Sequence, residues 1–431
     1  MAMFSSTIIN SLFRASRSAV KYSSSNLIRR PYWPSLKLYY SIQVENQVQD
    51  KLISVTWDDG KTTNYPHIYL RDNCRCSSCF DPQTQQRSIS NAVYHNYANA
   101  TIKTARVDDK NDKLYLEWID DGEHTTSNFE LDWLKAHRSI TYDDIEVNPV
   151  TKQLWGSEMK NNLPQFDYNK ILNDDSELHR WVRCMLKVGI SLLVGLPEDI
   201  GQVKKFVNRV AYLRKTCYGS TFKIHTDKGD DLTTIAYKNG GLAMHTDLVY
   251  YESVPGILLL HCLRPAKQGG ENQVADGFKA AEQLKASHPE YFDILTKYAI
   301  RYQDEGTDVG LSNFNQIAYH PVIRLNYNGD IKQIAYADHA RCSKLIAPSD
   351  KVLSFYNAMT QFLQYAYDPA NMVQFKLQSG CMIALDNYRI MHGRTGFEES
   401  ADSIRFIEGG YVDWDEALSR MRVIEKELAI N

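Results

Sequence analysis

Two segments that lie far apart in the chain place the strictest demand on its fold. GLAMHTDLVYY carries His245 and Asp247, and side chains two positions apart on a strand point to the same face. CMIALDNYRIMHGRTGF contains an apolar strand that ends at His392, directly before a glycine turn. Two imidazoles and one carboxylate on neighbouring strands form a facial triad that leaves three positions open on ferrous iron. We therefore expect a barrel that brings these side chains together around Fe(II), where the open positions take a bidentate co-substrate and dioxygen.

The region 166–431 mixes short apolar strands with amphipathic helices. Helical periodicity is present at Ser176–Leu186, Gly201–Arg214, Gly277–Ala286, Lys351–Tyr365 and Asp413–Leu428. Apolar strands between them are Ile190–Val194, Ile257–His261, Val373–Leu377 and Met382–Leu385. Many short strands edged by a few helices favour a jelly roll over a parallel α/β sheet. We predict a mixed α+β fold that is mainly β, with a double-stranded β-helix (jelly-roll) catalytic domain over 166–431 and flanking helices.

The region 45–140 has a different pattern and is expected to form a small β-domain. Alternating strands are indicated at Leu52–Trp57, Thr62–Leu70 and Lys113–Trp118, each bounded by Asp, Gly or Asn clusters. Residues 141–165 lack periodicity and are expected to form a linker. The sequence contains no G-x-G-x-x-G or Walker motif, so it gives no local support for nucleotide binding.

A cysteine cluster in the small domain suggests a structural zinc site. RDNCRCSSCF places Cys74, Cys76 and Cys79 within six residues, and thiolates this close can converge on one tetrahedral ion. His124, on the EHTT turn at the other end of this domain, is the best candidate for the fourth ligand. The alternative is a group of buried thiols without a metal. The other five cysteines stand among apolar neighbours and are expected to be core thiols.

Arg405 is the candidate for holding a co-substrate. It follows His392 by 13 residues and falls on the next predicted strand. A bidentate guanidinium there could hold the far carboxylate of a 2-oxo diacid whose keto-acid end chelates the iron. The alternative is a surface arginine paired with Glu408.

The first 44 residues are typical of a mitochondrial transit peptide. They contain ten serines and no carboxylate, because the first acidic residue is Glu45. Their positive charges are Arg14, Arg17, Lys21, Arg29, Arg30 and Lys37. We expect import into the mitochondrial matrix, with a disordered tail as the alternative.

Because residues 1–44 are purely basic, the remaining residues carry a larger negative charge than the whole chain's −3, which argues against binding nucleic acid. No run of 18 apolar residues occurs, so no membrane span is expected.

These motifs are similar to those of a known enzyme family. Together with PGILLLHCL, GGENQVADGF and the closing RFIEGGYVDWD, they resemble the carnitine-biosynthesis branch of the 2-oxoglutarate dioxygenases, the gamma-butyrobetaine and trimethyllysine dioxygenases. The LRDNCRCSSC run resembles that family's zinc-binding N-terminal domain, and the likeness covers about residues 50–428. The resemblance implies hydroxylation of a trimethylammonium carboxylic acid with Fe(II), 2-oxoglutarate and O2, structural Zn(II), ascorbate as reductant, and a homodimer.

The same resemblance implies a substrate site. An aromatic cage suits a trimethylammonium group because that group cannot donate hydrogen bonds. The family's cage positions match Tyr218, Phe222, Tyr237 and Tyr411, with Phe222 standing where a tryptophan is familiar. Two asparagines that hold the substrate carboxylate in the family fall on Thr234 and Ala337, and of these only Thr234 keeps a donor. Asp338 and His339 follow Ala337 immediately and could shift the polar contacts. Leu260 and Asn272 are implied to lie near 2-oxoglutarate.

Three functions remain open from the sequence. DWDEALSRMR resembles the gamma-butyrobetaine enzymes, which favours conversion of gamma-butyrobetaine to L-carnitine. The transit peptide instead favours trimethyllysine hydroxylation, because the trimethyllysine enzyme is the mitochondrial member in animals. A non-catalytic methyl-lysine-binding module would use the same aromatic cage. The triad and Arg405 argue against it, since such a module has no use for them.

Overall fold

The protein is described from a computed structural model, which covers residues 42–88, 99–108, 112–119, 125–138, 150–225, 238–307, 312–398 and 404–428. The chain divides into two compact units at residues 141 and 142, and each has its own hydrophobic core. Three residues expected in binding sites, His124, Thr234 and Tyr237, lie outside the described residues, as does nearly all of the predicted transit peptide.

In its described residues, the first unit consists of short antiparallel strands and two short helices. Its elements are β1 Gln43–Gln47, β2 Leu52–Thr56, β3 Thr62–Pro66, α1 His67–Asp72, β4 Phe80–Asp81, β5 Gln86–Arg87, β6 Thr101–Asp108, β7 Lys113–Ile119, β8 Thr126–Glu130 and α2 Leu131–Ala136. They pair as β1-β2-β3, β6-β7-β8 and β4-β5. In β7, Leu114, Leu116 and Trp118 alternate with more exposed residues, so one face of this strand packs into the core.

The second unit contains the remaining strands and the longer helices. Its elements are α3 Met159–Asn162, β9 Gln165–Asp167, α4 Tyr168–Asn173, α5 Asp175–Val188, β10 Ile190–Val194, α6 Gln202–Val210, β11 Thr221–His225, β12 Leu242–His245, β13 Ile257–Arg264, β14 Asn272–Asp276, α7 Gly277–Ser287, α8 Pro289–Lys297, β15 Ala299–Thr307, β16 Asn313–Pro321, β17 Ile323–Leu325, β18 Ile331–Ile334, β19 Arg341–Ile346, α9 Val352–Tyr367, β20 Met372–Phe375, β21 Cys381–Asp386, β22 Ile390–Arg394, β23 Phe406–Val412 and α10 Trp414–Leu428. Two 3₁₀ turns, Asp338–Ala340 and Ser349–Lys351, flank β19.

Two sheets form the centre of the second unit. One has the order β11-β23-β13-β21-β10-β9 and the other β12-β22-β14-β20, while β16-β15-β19 form a third, smaller sheet. From β11 to β14, and again from β20 to β23, consecutive strands alternate between the two large sheets. This alternation is the winding of a double-stranded β-helix, so the mainly β fold with flanking helices is confirmed.

Helices cover the outer side of the six-stranded sheet. In α5, Leu178, Trp181 and Met185 share a face and pack in one cluster with residues of α6, α10 and the sheet. The helix begins after Asp174, whose side chain accepts a hydrogen bond from the Ser176 N–H, and it ends at a left-handed glycine. Among the described residues, no helix is both long and apolar enough to cross a membrane.

Two local expectations differ from the structure. The strand expected over Thr62–Leu70 ends at Pro66, and α1 follows it. His67, Leu70 and Arg71 are buried at helical spacing, so the apolar pattern continued while its period changed. The described part of the expected linker 141–165 packs into the second unit, because Trp155 is buried in its core and its indole N–H donates to the Val188 carbonyl at 2.7 Å.

Candidate active site

The three residues of the expected triad meet on two adjacent strands. His245 is the last residue of β12, and His392 lies opposite it in β22. Asp247 follows His245 by two residues, in the turn that leaves the strand. One ligand atom from each residue lies within 4.8 Å of the others. The chain therefore brings together residues separated by most of the second unit.

Hydrogen bonds orient the side chains of this group. The His245 Nδ1–H donates to the carbonyl of Ala243 at 2.8 Å, which leaves Nε2 as the ring's lone-pair atom. That Nε2 lies 3.0 Å from Asp247 Oδ1, and His392 Nε2 lies 3.4 Å from the same oxygen. Both imidazoles thus direct Nε2 at one carboxylate, as ligands of a shared cation do.

Burial and charge act in opposite directions on the Asp247 carboxyl. Burial alone raises its pKa, but the imidazoles of His392 and His245 outweigh burial and lower the pKa well below its usual range. The pKa of His392 is lowered, first by burial and then by the neighbouring His245. Metal binding uses the carboxylate and the neutral imidazole forms of these side chains, so a cation bound there would displace any proton that they hold.

The backbone around Asp247 is held by residues that the sequence interpretation did not single out. The Asp247 N–H donates to Asn387 Oδ1 at 2.7 Å, and Asn387 Nδ2 donates to the carbonyl of Asp247 at 3.0 Å. The Thr246 N–H donates to the Tyr336 carbonyl at 2.7 Å. These contacts fix the turn between the first histidine and the carboxylate.

A single cavity between the two large sheets contains most of the predicted site residues. Those that line it are His245, Asp247, His392, Arg405, Leu260, Asn272, Tyr218, Phe222, Tyr411 and Ala337. Leu260 lies on β13 and Asn272 on β14, one in each sheet. The triad, the expected co-substrate residues and three of the expected cage aromatics therefore face the same space.

The aromatic residues contact one another and the triad. The rings of Phe222 and Tyr411 have centroids 5.4 Å apart. The Tyr411 hydroxyl also donates to Asp247 Oδ2 at 2.8 Å. Gly409 lies opposite Phe222 in the β11–β23 pair, and a methyl group at Gly409 would overlap the Phe222 ring. The Phe222 ring therefore occupies space that is available only because Gly409 has no side chain.

Arg405 is buried immediately before β23, with its guanidinium 5.6 Å from the centre of the Phe397 ring. Glu408, its alternative partner, accepts a hydrogen bond from the Gly201 N–H at 2.9 Å and lies 3.9 Å from His261. A buried guanidinium facing a cavity that also contains three potential metal ligands is a suitable binding group for a carboxylate.

The sequence interpretation missed two residues at or behind the cavity wall, Tyr250 and Asp304, and considered His339 only as a neighbour of Ala337. Tyr250 and His339 line the cavity, and Asp304 accepts a hydrogen bond from the Tyr218 hydroxyl. Burial, followed by the charge of His245, lowers the pKa of His339 to about 4. Only the position of His339, two residues after Ala337, gave a sequence signal. Tyr250 and Asp304 gave none, because only tertiary packing brings Tyr250 to the cavity and Asp304 to the Tyr218 hydroxyl.

The cysteine cluster forms a second group of potential ligands in the first unit. The sulfur atoms of Cys74, Cys76 and Cys79 lie within 4.8 Å of one another. The Ser127 hydroxyl donates to Cys74 at 3.1 Å, and the Arg71 guanidinium donates to Cys79 at 3.7 Å. Burial raises the pKa of the Cys74 thiol to about 12 when no cation is present.

Comparison with known proteins gives matches for both units. The family model described as taurine catabolism dioxygenase TauD, TfdA family matches residues 146–411, and the model described as gamma-butyrobetaine hydroxylase-like, N-terminal, matches residues 44–135. Human gamma-butyrobetaine dioxygenase is 32% identical over 381 residues, covering 88% of this chain and 95% of that protein. Human mitochondrial trimethyllysine dioxygenase is 28% identical over 365 residues, covering 84% and 82%. A crystal structure of a taurine dioxygenase from Burkholderia xenovorans has a TM-score of 0.43 and 15% identity, covering 61% of this chain and 89% of that one.

Proposed function

Because this chain belongs to the TauD, TfdA family of dioxygenases and is related over most of its length to gamma-butyrobetaine dioxygenase, we propose that it hydroxylates gamma-butyrobetaine to L-carnitine. The observation that carries this proposal is the shared cavity, in which three potential iron ligands, a buried arginine and an aromatic group face one another. Each part has a counterpart in the reaction: a metal, a dicarboxylate co-substrate and a trimethylammonium group.

The donor set fits ferrous iron. His245, Asp247 and His392 would hold the ion through two imidazole Nε2 atoms and one carboxylate oxygen, and these atoms already converge. Iron bound there would couple the decarboxylation of 2-oxoglutarate to succinate and CO2 with the transfer of one oxygen atom from O2 into a substrate C–H bond. The contact from Tyr411 to Asp247 and the contact from Ala243 to His245 would keep the ligands oriented.

Arg405 would bind the far carboxylate of 2-oxoglutarate. Its guanidinium is buried and faces the same cavity as the triad, so a carboxylate bound to it would be removed from water. Leu260 and Asn272 would flank the co-substrate from the two opposite sheets. Holding this end fixes the direction from which the keto-acid end approaches the iron.

The aromatic side chains would hold the other reactant. Tyr218, Phe222 and Tyr411 face the cavity, and Tyr237 is proposed as the fourth member of the cage. Aromatic faces attract a quaternary ammonium group without needing a hydrogen bond from it. The cage would fix the cationic end and thereby direct one methylene group of the chain toward the iron site.

The carboxylate end of the substrate would be held differently from the family pattern. Ala337 lines the cavity but has no donor, and Thr234 is proposed to supply one hydrogen bond. His339 lies on the 3₁₀ turn two residues beyond Ala337 and also lines the cavity. We include its imidazole N–H as a candidate second donor to the substrate carboxylate.

The first unit is proposed to bind structural zinc through Cys74, Cys76, Cys79 and His124. The three sulfur atoms already converge, and a cation would offset the cost of burying thiolates near one another.

The basic composition of residues 1–44 supports mitochondrial import, and related trimethyllysine dioxygenases carry the word mitochondrial in their names. Ascorbate as reductant and a homodimeric assembly complete the proposal.

The decisive experiment measures succinate release and hydroxylated product with gamma-butyrobetaine and with trimethyllysine, under iron, 2-oxoglutarate and oxygen. We expect wild type to form product from either substrate only when iron is added, with the larger kcat/KM for gamma-butyrobetaine. Asp247→Ala should abolish turnover while the circular dichroism spectrum stays unchanged. A larger kcat/KM for trimethyllysine would assign the chain to the first step of carnitine biosynthesis instead. Binding of methyl-lysine peptides without turnover of either substrate would favour the non-catalytic module.

A further inference from the structure

A chain of hydroxyl groups leads from the cavity wall to a carboxylate. The hydroxyl of Tyr250 donates to the hydroxyl of Tyr218 at 3.1 Å, and Tyr218 donates to Asp304 Oδ2 at 2.7 Å. A phenol has one proton to donate, so this order of donors ends at the carboxylate, which can only accept. Both tyrosines line the cavity, whereas Asp304 lies behind Tyr218 on β15.

The two tyrosines stay neutral and able to donate. Burial is the largest cause that raises the pKa of Tyr218 and of Tyr250, and the nearby carboxylate raises both further. Of these three groups, only Asp304 is a carboxylic acid, the type that ordinarily carries a negative charge at neutral pH. Within the part of the chain that the structure describes, Asp304 forms no ion pair with a lysine, arginine or histidine, so this charge is not neutralised by a contact.

An anion in this position strengthens the attraction for a cation in two ways. A phenol that donates to a carboxylate becomes richer in electrons, which makes the face of its ring more negative. The carboxylate also attracts a positive charge directly, and the effect is larger where protein has displaced water. Neither effect acts on an uncharged group that has the same shape as trimethylammonium.

We propose that Asp304 is a specificity-determining residue, whose carboxylate acts through the Tyr218 hydroxyl to select a cationic substrate end over an uncharged group of equal size. The proposal deepens the proposed function and rests on it, because it assumes that Tyr218 belongs to the site for the trimethylammonium group. The selected class is quaternary ammonium acids, and the rejected class is branched carboxylic acids that carry a tert-butyl group in its place.

The test compares gamma-butyrobetaine with 5,5-dimethylhexanoate, in which carbon replaces the ammonium nitrogen. The KM of the betaine and the inhibition constant of the isostere are measured with wild type, Asp304→Asn and Tyr218→Phe. Asp304→Asn should raise the betaine's KM about tenfold and leave the isostere's inhibition constant and kcat nearly unchanged. Tyr218→Phe keeps the ring but removes the link, so it should cause a smaller change of the same kind.

A matched control separates this role from a general loss of charge or of structure. Glu305→Gln removes the same charge from the next residue of β15, where the carboxylate accepts a hydrogen bond from Asn315 at 3.1 Å in an exposed position. It should leave both constants unchanged. If Asp304→Asn weakens the binding of betaine and isostere equally, its role is structural only and the proposal is overturned. The proposal is also overturned if the variant weakens the binding of neither compound. If wild type instead prefers trimethyllysine, the proposed function fails, and the comparison is repeated with trimethyllysine and its tert-butyl isostere, since the charged group is the same.

Discussion

The hydroxyl of Tyr411 lies 2.8 Å from Oδ2 of Asp247, the carboxylate whose other oxygen faces both histidines of the triad. One side chain therefore presents its ring to the cavity and its hydroxyl to a potential iron ligand. In the proposed enzyme, the same residue would position the metal and contact the substrate. The two contributions can be separated, because one depends on the ring and the other on the oxygen atom.

Replacing Tyr411 with phenylalanine should weaken iron binding more than substrate binding. The ring remains, but the hydrogen bond that orients Asp247 is lost, and loss of such outer contacts costs roughly 10–100-fold in metal affinity. We expect the iron concentration for half-maximal succinate release to rise by about tenfold, while the KM of gamma-butyrobetaine changes by less than about twofold. Tyr388→Phe is the control, because its hydroxyl donates to the Val254 carbonyl at 3.0 Å. A large rise in KM without a change in iron dependence would contradict this division.

Gly409→Ala should disturb the substrate site without touching a polar group. The added methyl group would overlap the Phe222 ring, which must then leave its position beside Tyr411. We expect the KM for gamma-butyrobetaine to rise about tenfold, the size of effect expected when one cation–π contact is lost. Gly240→Ala provides the control, because a methyl group there has no heavy atom within 4 Å. Steady-state kinetics that are the same for both variants would show that the Phe222 ring does not contribute to binding.

The buried carboxyl of Asp386 should make stability depend on pH. It accepts a hydrogen bond from the Trp414 indole at 2.8 Å, and burial raises its pKa to about 6. Because this value lies above the unfolded pKa of about 4, the folded state binds the proton more tightly, and stability falls as pH rises from about 4 to about 6.

Asp386→Asn removes this dependence and should raise the free energy of unfolding at pH 8 by up to ~3 kcal/mol, with a smaller gain at pH 5. Urea denaturation at the two pH values measures the difference. Asp350→Asn is the control, since that side chain is 71% exposed. An equal change at both pH values would mean that the carboxyl is ionised throughout this range.

Cys76→Ser should remove zinc from the first unit. Its sulfur lies within 4.8 Å of those of Cys74 and Cys79, so the site would lose one of its three thiolate ligands. We expect about one zinc per chain in wild type and a small fraction of that in the variant, measured by elemental analysis after dialysis. Cys342→Ser, in the second unit, should keep the metal. Absence of zinc from wild type purified without chelators would favour a cluster of free thiols.

Much of the fold was predictable because it is carried by local patterns. The alternation and helical periodicity of the second unit predicted α5, α7, β10 and β21 to within a few residues. The first strand–helix boundary was missed at Pro66, because His67, Leu70 and Arg71 continue an apolar pattern whose change of period is too short to recognise. The signal was sufficient wherever an element was long enough to repeat its own period.

The site was predictable only in part, for the same physical reason. His245, Asp247 and His392 could be proposed as a group because their chemistry restricts which residues can meet. Asn387, Asp304 and Tyr250 could not, because their roles depend on which strand is paired with which and in what register. The space for Phe222, for example, exists because Gly409 lies opposite it, and no local pattern in either strand reveals that pairing.

The position of β23 bears on how the molecule is assembled during synthesis. This strand begins at Phe406, yet it lies inside the six-stranded sheet, between β11 and β13. While the chain is still on the ribosome, β11 and β13 therefore each expose an unpaired edge until almost the whole polypeptide has emerged, and such edges favour aggregation. Both strands therefore wait for their shared partner while residues 265–405, about a third of the chain, are synthesised.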